Sequence, residues 1–326
     1  MTLSVALCTY NGKSYIEEQL LSILRQTLPV DEVVVCDDGS SDGTIGIIEK
    51  MQRDGKVKLH RNEKSLGVVE NFKKAASLCM GDIIFFADQD DRWHPNKVET
   101  ILEYFDRHPQ HGVVFTDALI IDSSGEHLPA YGNLFQMTFQ KEERRMFNAG
   151  LELESFLARN HATGATMAVR RIFLEETDPF QLCTDQILHD YALALRAAEM
   201  GVLGVLYEPL IDYRRHDSGQ TVFEIPKDGK ASKWHTYYNY LREFWPNGDI
   251  AEIKSLITAN HAAERIDFIA TRNSNLHKLS SPLRIPFSLK QYRNLYGSCW
   301  QKIMRYDISQ CIRYTFLRLT HRLPEK

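Results

Sequence analysis

The sequence predicts an α/β protein, a mainly parallel sheet flanked by helices with a helical extension at the C-terminal end. Three observations carry this. Short apolar runs of strand length alternate with stretches of helical spacing, at the pace expected of βαβ units. Runs such as Ile83-Ile84-Phe85-Phe86 show no polar alternation, which suits strands covered on both faces. That strand stops in three carboxylates, Asp88, Asp90 and Asp91, at the strand end where open α/β sheets bind ligands.

Taken in order, residues 4–8 read as a strand, Tyr10-Asn11-Gly12 as a turn and 14–25 as a helix, with Tyr15, Ile16, Leu20, Ile23 and Leu24 on one side. A second buried strand, 32–36, ends in Asp37-Asp38-Gly39-Ser40-Ser41-Asp42-Gly43-Thr44. Helix 45–53, strand 57–60, helix 67–79 and strand 82–86 follow, then helix 95–107 behind Pro95 and strand 112–115. Residues 122–148 read as an irregular polar excursion. Strand 166–169, helix 185–200 and strand 202–207 complete the pattern. Helical spacing alone continues beyond about Val222, which places a boundary there: a sheet domain over 1–222 and an extension over 223–326.

Composition excludes several classes. At 43% hydrophobic and 25% charged the chain is that of an ordinary globular protein. No apolar run approaches the roughly 20 residues of a membrane span, and the N-terminus lacks the positive flank of a signal peptide. Six cysteines without a Cys-x-x-Cys pair argue against zinc and against a disulfide framework, which makes a reducing cytoplasm the simplest compartment. The net charge of −4 is uneven: from Arg272 onward eleven Lys/Arg face two acids, Asp307 and Glu325, while the rest holds 28 Lys/Arg against 41 Asp/Glu. A basic tail interleaved with Tyr292, Tyr296, Trp300, Tyr306, Tyr314 and Phe316 suits peripheral contact with the inner membrane face rather than nucleic acid. A helical cap packed on the body is the equal alternative.

The chemistry lies at the strand ends. Three clustered acids call for a positive charge, and Mg²⁺ or Mn²⁺ takes carboxylate oxygens and bridges to phosphate. The alternative is a helix cap, for which one Asp would suffice. Thr9, Tyr10 and Asn11 offer a ring for stacking and an amide for hydrogen bonds, and Asp37-Asp38 could accept from a pyrimidine N3–H or a ribose hydroxyl. No G-x-G-x-x-G follows the first strand and no phosphate-binding G-x-x-x-x-G-K-[ST] occurs, so metal and side chains must hold any phosphates.

In combination and order, Val5-Ala6-Leu7-Cys8-Thr9-Tyr10-Asn11, Ser22-Ile23-Leu24-Arg25-Gln26-Thr27, the 32–44 segment and Asp88-Gln89-Asp90-Asp91 resemble the nucleotide-sugar-dependent glycosyltransferases of family 2, with their Rossmann-like GT-A fold, over about the first two thirds of the chain. The resemblance implies that Tyr10 and Asp38 contact the base, that Asp90 lies near the ribose and that Asp91 ligates a divalent metal on the diphosphate. Asp88 and Asp90 match the family's Asp-x-Asp pattern. Asn71 and Phe72 match a further family segment, in which Asn71 would face the nucleotide.

An inverting transfer needs a general base for the acceptor hydroxyl. Leu188-His189-Asp190-Tyr191 is similar to the His-Asp-aromatic segment of rhamnosyltransferase-like members, whose Asp is the base; Asp190 is therefore the candidate and Asp185 its rival. Tyr213-Arg214-Arg215-His216 resembles a family Tyr-Arg-x-His segment, in which His216 would bind metal or diphosphate and Arg214 or Arg215 would neutralise phosphate. Cys8 departs from the Thr of several relatives, and the Gln-x-x-Arg-Trp segment of processive synthases is missing, which favours single addition over polymerisation. The resemblance thus implies a deoxythymidine- or uridine-diphosphate sugar as donor and a saccharide or lipid-linked saccharide as acceptor, in surface polysaccharide assembly. A homodimer is left open. A nucleotidyltransferase and a non-catalytic sugar-binding protein are the competing classes.

Overall fold

A computed structural model of the chain describes residues 1–215 apart from 53–54, 140, 151, 159 and 184–186. The expected boundary near 222, the extension over 223–326 with its basic aromatic face, His216 and Asp185 lie outside the described residues.

The sheet has eight strands in the order β3-β2-β1-β4-β7-β6-β8-β5. β1 (Leu3–Thr9), β2 (Glu32–Asp37), β3 (Val57–Arg61) and β4 (Ile83–Ala87) are parallel. β6 (Val113–Ile121) pairs parallel with β8 (Leu203–Arg214), while β7 (Ala168–Arg170) runs antiparallel between β4 and β6. The short β5 (Arg92–Trp93) runs antiparallel to β8 at Ile211 and Asp212. The chain steps outward from β1 to β2 to β3, then returns to place β4 on the other side of β1. This reversal opens a crevice beyond the carboxyl ends of β1 and β4, the position where such sheets bind ligands. β1, β2 and β4 are buried throughout, as their unbroken apolar runs require.

The helices α1 (Ile16–Leu24), α2 (Thr44–Met51), α3 (Val68–Leu78), α4 (Lys97–Arg107) and α9 (His189–Glu199) stand where the spacing places them. α1 buries Ile16, Leu20 and Ile23 at helical intervals. Gly43, at the start of α2, holds φ 101°, a left-handed conformation that favours glycine. α9 is not amphipathic: it is buried nearly all round, from Tyr191 through Ala198.

Two sequence readings change. The excursion over 122–148 is not irregular. It contains α5 (Leu134–Thr138) and α6 (Lys141–Asn148), followed by α7 (Glu152–Ala158); α8 (Arg171–Thr177) follows β7. Long-range contacts decide this: Phe115, Phe135, Phe139, Phe147 and Phe156 converge edge to face, and buried Asp117 accepts from the Phe135 N–H at 2.8 Å. β8 is also longer than its apolar run, because polar residues up to Arg214 continue to pair with β6. Pro209, which has no N–H to give, enters where the ladder slips beside Asp117. Among the described residues no helix is long and apolar enough to cross a membrane.

Candidate active site

Two segments meet at the crevice: the turn after β1, residues 9–12, and the acid loop after β4, residues 88–91. The acid loop is held by side chains that grip its backbone. Gln19 of α1, fully buried, donates to the Asp88 carbonyl oxygen at 2.7 Å. Arg214 of β8 donates through Nε to the Asp90 carbonyl oxygen at 2.7 Å and through its backbone N–H to Asp91 Oδ1 at 3.0 Å. Its guanidinium also pairs with Glu18 and lies over the Tyr15 ring. A loop so constrained presents its carboxylates in one arrangement before any ligand arrives.

Two of the carboxylates, Asp88 and Asp91, are disfavoured as anions. Burial above all, then the charges of Asp90 and Asp190, push the Asp88 carboxyl up to about 7, against the pull of Lys97. Asp91 is 1% exposed, and burial followed by Asp90 and Asp88 raises it well above the usual carboxylate range. Its Oδ2 is buried with no hydrogen-bond partner. An orphaned carboxylate oxygen in a cluster of acids is what a cation ligand looks like before the cation is bound. Among the described residues no three metal-binding side chains converge into a protein-only cage. The donor set therefore fits Mg²⁺ or Mn²⁺ held by one or two carboxylates with phosphate oxygens and water supplying the rest.

A metal is not the cluster's sole source of positive charge. Lys97, 0% exposed, points its ammonium beneath the acids, donates to the Ala165 carbonyl oxygen at 2.7 Å and lies 4.2 Å from the centre of the Trp93 ring. Burial lowers it to about 7 although Asp91 and Asp88 hold the proton. The sequence reading missed Lys97, yet there was a signal: it stands four and eight residues before Ile101 and Phe105, on the apolar stripe of α4.

α9 brings Asp190 close enough for its charge to raise Asp88. The Asp190 carboxylate accepts from the Tyr191 N–H at 2.6 Å. The preceding His189 stacks on Phe72 at 4.0 Å between ring centres, and neither ring nitrogen has a hydrogen-bond partner.

The other candidates divide. Tyr10 stands 54% exposed at the mouth, as a stacking ring must. Asp37 Oδ1 accepts from Gly39 and Ser40 N–H groups, while its Oδ2 is buried and unpartnered. Asp38 is saturated: Asn62 Nδ2, Ser65 Oγ and the Leu66 and Gly67 N–H groups fill its acceptor sites. Burial opposes its ionisation, but these donors hold it below the usual range. In this geometry the unfilled acceptor belongs to Asp37. Asn71 is 2% exposed and engaged by the Cys36 carbonyl and by Asn62, which fastens α3 to β2. Thr9 donates to Gln89, and Asn11 bonds Ser40 and Ser41, so both brace the turn. Arg215 extends over the Tyr131 ring, whereas Arg214 is the arginine that touches the acid loop.

The Asp88 shift predicts an unusual pH response. A carboxyl whose folded pKa is raised favours the folded state while protonated, and that contribution is lost as pH rises from the usual carboxylate range to about 7. The ion-free protein should therefore lose melting temperature between about pH 5 and 7, and Asp88→Asn should flatten the fall. An equal fall in Asp88→Asn would assign it to other groups.

The fold is a mostly parallel α/β sheet with a carboxylate-lined crevice at the reversal of its strand order. The chain belongs to glycosyl transferase family 2, whose profile matches residues 4–177, and it is a glycosyltransferase. It is 25% identical to an uncharacterized protein of Mycobacterium tuberculosis over 98% of this chain and 83% of the relative. It is 27% identical to a Nostoc glycosyltransferase over 66% of this chain and 65% of that protein. Among solved structures, S. aureus TarS residues 1–349 in complex with UDP-GlcNAc superposes with a TM-score of 0.53 at 21% identity, covering 92% of this chain and 81% of that TarS 1–349 chain. These likenesses support the GT-A fold expected from the motifs and set aside the nucleotidyltransferase and non-catalytic readings.

Proposed function

We propose that this glycosyltransferase moves a sugar, with inversion, from a deoxythymidine- or uridine-diphosphate donor to a saccharide or lipid-linked saccharide acceptor in surface polysaccharide synthesis. The observation that carries the reading is the closeness of Asp190 to the acid loop, near enough for its charge to raise Asp88, together with the orphaned Asp91 oxygen on that loop. Tyr10 stacks on the pyrimidine and Asp37 Oδ2 accepts its N3–H. Asp91 and Asp90 hold the divalent cation, with His216 as a further contact to it or to the diphosphate. When bound, the cation offsets charge growing on the leaving diphosphate. Asp190 takes the proton of the acceptor hydroxyl as that oxygen attacks the anomeric carbon from the face opposite the diphosphate.

Rhamnose is the sugar suggested by the His189-Asp190-Tyr191 segment. TarS holds UDP-GlcNAc on this fold, so both pyrimidine nucleotides belong in the test. Calorimetric titration with Mn²⁺ should show binding of deoxythymidine or uridine diphosphate in preference to guanosine diphosphate, abolished by a chelator. Equal binding of guanosine diphosphate would overturn the base assignment, and chelator-insensitive binding would overturn the metal assignment.

A further inference from the structure

We propose that Gln89 is a positioning residue that locks the acid loop to the nucleobase turn, so that base and diphosphate are read by one preformed unit. The inference rests on the nucleotide reading above and adds a residue to it. Gln89 stands between the carboxylates of Asp88 and Asp90, and nothing in its residue type suggests a role. In the structure its side chain leaves the acid loop and crosses the crevice at the β1–β4 reversal. Its Oε1 accepts from Thr9 Oγ1 at 2.7 Å and from the Tyr10 N–H at 2.8 Å, and its Nε2 donates to the Tyr10 carbonyl oxygen at 3.1 Å. The amide thus satisfies both backbone groups of Tyr10, the residue whose ring stands at the mouth.

A second observation is independent of these bonds. Gly12 leaves the slot that the Gln89 amide fills: a Cβ there would collide with Gln89 Oε1 and stand 2.9 Å from Thr9 Oγ1. Gly12 carries no left-handed φ, so its lack of a side chain answers to this space and not to the backbone. The lock also runs in the opposite direction. The Gly12 carbonyl oxygen accepts from Tyr15 and Ile16 at the start of α1, and Gln19 of the same helix grips the Asp88 carbonyl oxygen. Turn and loop therefore hold each other at two points, and the distance from base to diphosphate is set before the donor binds.

The test is a double-mutant cycle read by uridine diphosphate affinity with Mn²⁺, well below the melting temperature of every variant. Gln89→Ala frees the turn, and Gly12→Ala evicts the amide from the other side. Each should weaken binding about tenfold, from the loss of two to three hydrogen bonds. Gly12→Ala should add less than about twofold in the Gln89→Ala background, because the amide it would evict is gone and only Thr9 Oγ1, at 2.9 Å, is left to shift. In transfer assays the donor KM should rise while kcat changes little, since neither residue meets the reacting atoms. Additive losses would show that the two residues do not act through one contact and would overturn the proposal. So would unchanged affinity in Gln89→Ala. A wild-type chain that binds neither pyrimidine nucleotide would overturn the underlying reading and this inference with it.

Discussion

Asp190→Asn is expected to bind donor with wild-type affinity and to lose about 10²–10⁴-fold in transfer rate, the range a positioned general base supplies. The substitution is conservative in shape. Asn Oδ1 can keep accepting from the Tyr191 N–H, so the start of α9 is preserved, and only the basic oxygen is lost. A second effect follows from charge. Asp190 is one of the groups that raise Asp88, so its neutralisation should lower the Asp88 carboxyl from about 7 and make Mn²⁺ binding less dependent on pH. The two readouts separate a base from a residue that merely starts a helix, since the latter would change stability and leave the rate intact. Substantial residual turnover in Asp190→Asn together with its loss in Asp185→Asn would transfer the role to Asp185.

Asp91→Asn should lose Mn²⁺-dependent nucleotide binding by about a hundredfold or more, beyond what outer partners of a metal ligand contribute. Without metal the same variant should melt roughly 2–4 °C higher at pH 7, the shift expected from about 1 kcal/mol in a domain of this size. The physical reason is that wild-type Asp91 is disfavoured as an anion by burial and by Asp90 and Asp88, with one oxygen unpartnered. Asn keeps an acceptor for the Arg214 N–H and discards the charge. Stability sacrificed at a binding site is a common mark of function. The measurements are thermal melts with and without Mn²⁺ beside calorimetric titration. A variant that binds as well as wild type, or melts lower without metal, would return Asp91 to a structural role.

The acid loop shows why parts of the site were legible in sequence. Asp88, Asp90 and Asp91 follow a run of apolar residues that can only be a buried strand, so their place at its carboxyl end follows from local pattern. Tyr10 and Asp37 follow β1 and β2 in the same way. The roles of Asp38 and Asn71 were not legible, because an acceptor's availability depends on which donors the rest of the chain brings to it. Asn62, Ser65, Leu66 and Gly67 come from a loop more than twenty residues further on. Gln19, Gln89 and Lys97 were passed over because an amide or a single cation carries no chemical pattern of its own, and Arg214 was read as a phosphate contact because its grip on the acid loop depends on a partner far away in sequence. The helices of the 122–148 region were missed because a cluster of phenylalanines drawn from β6, α5, α6 and α7 stabilises them more than local propensity does.

By itself the sequence determined the βαβ order, the strands that are buried on both faces, the family and the place of the acids at the strand ends. Periodicity and strand termination are local properties, and the chain writes them residue by residue. Only the tertiary structure decided which carboxylate oxygens are spent on the frame and which are left for a ligand. It alone placed Lys97 under the acids and joined Gln89 to the turn at Gly12. Those facts depend on burial and on partners as many as 124 residues apart, as when Arg214 meets Asp90, and burial is what turns an ordinary carboxylate into one that titrates near neutral pH.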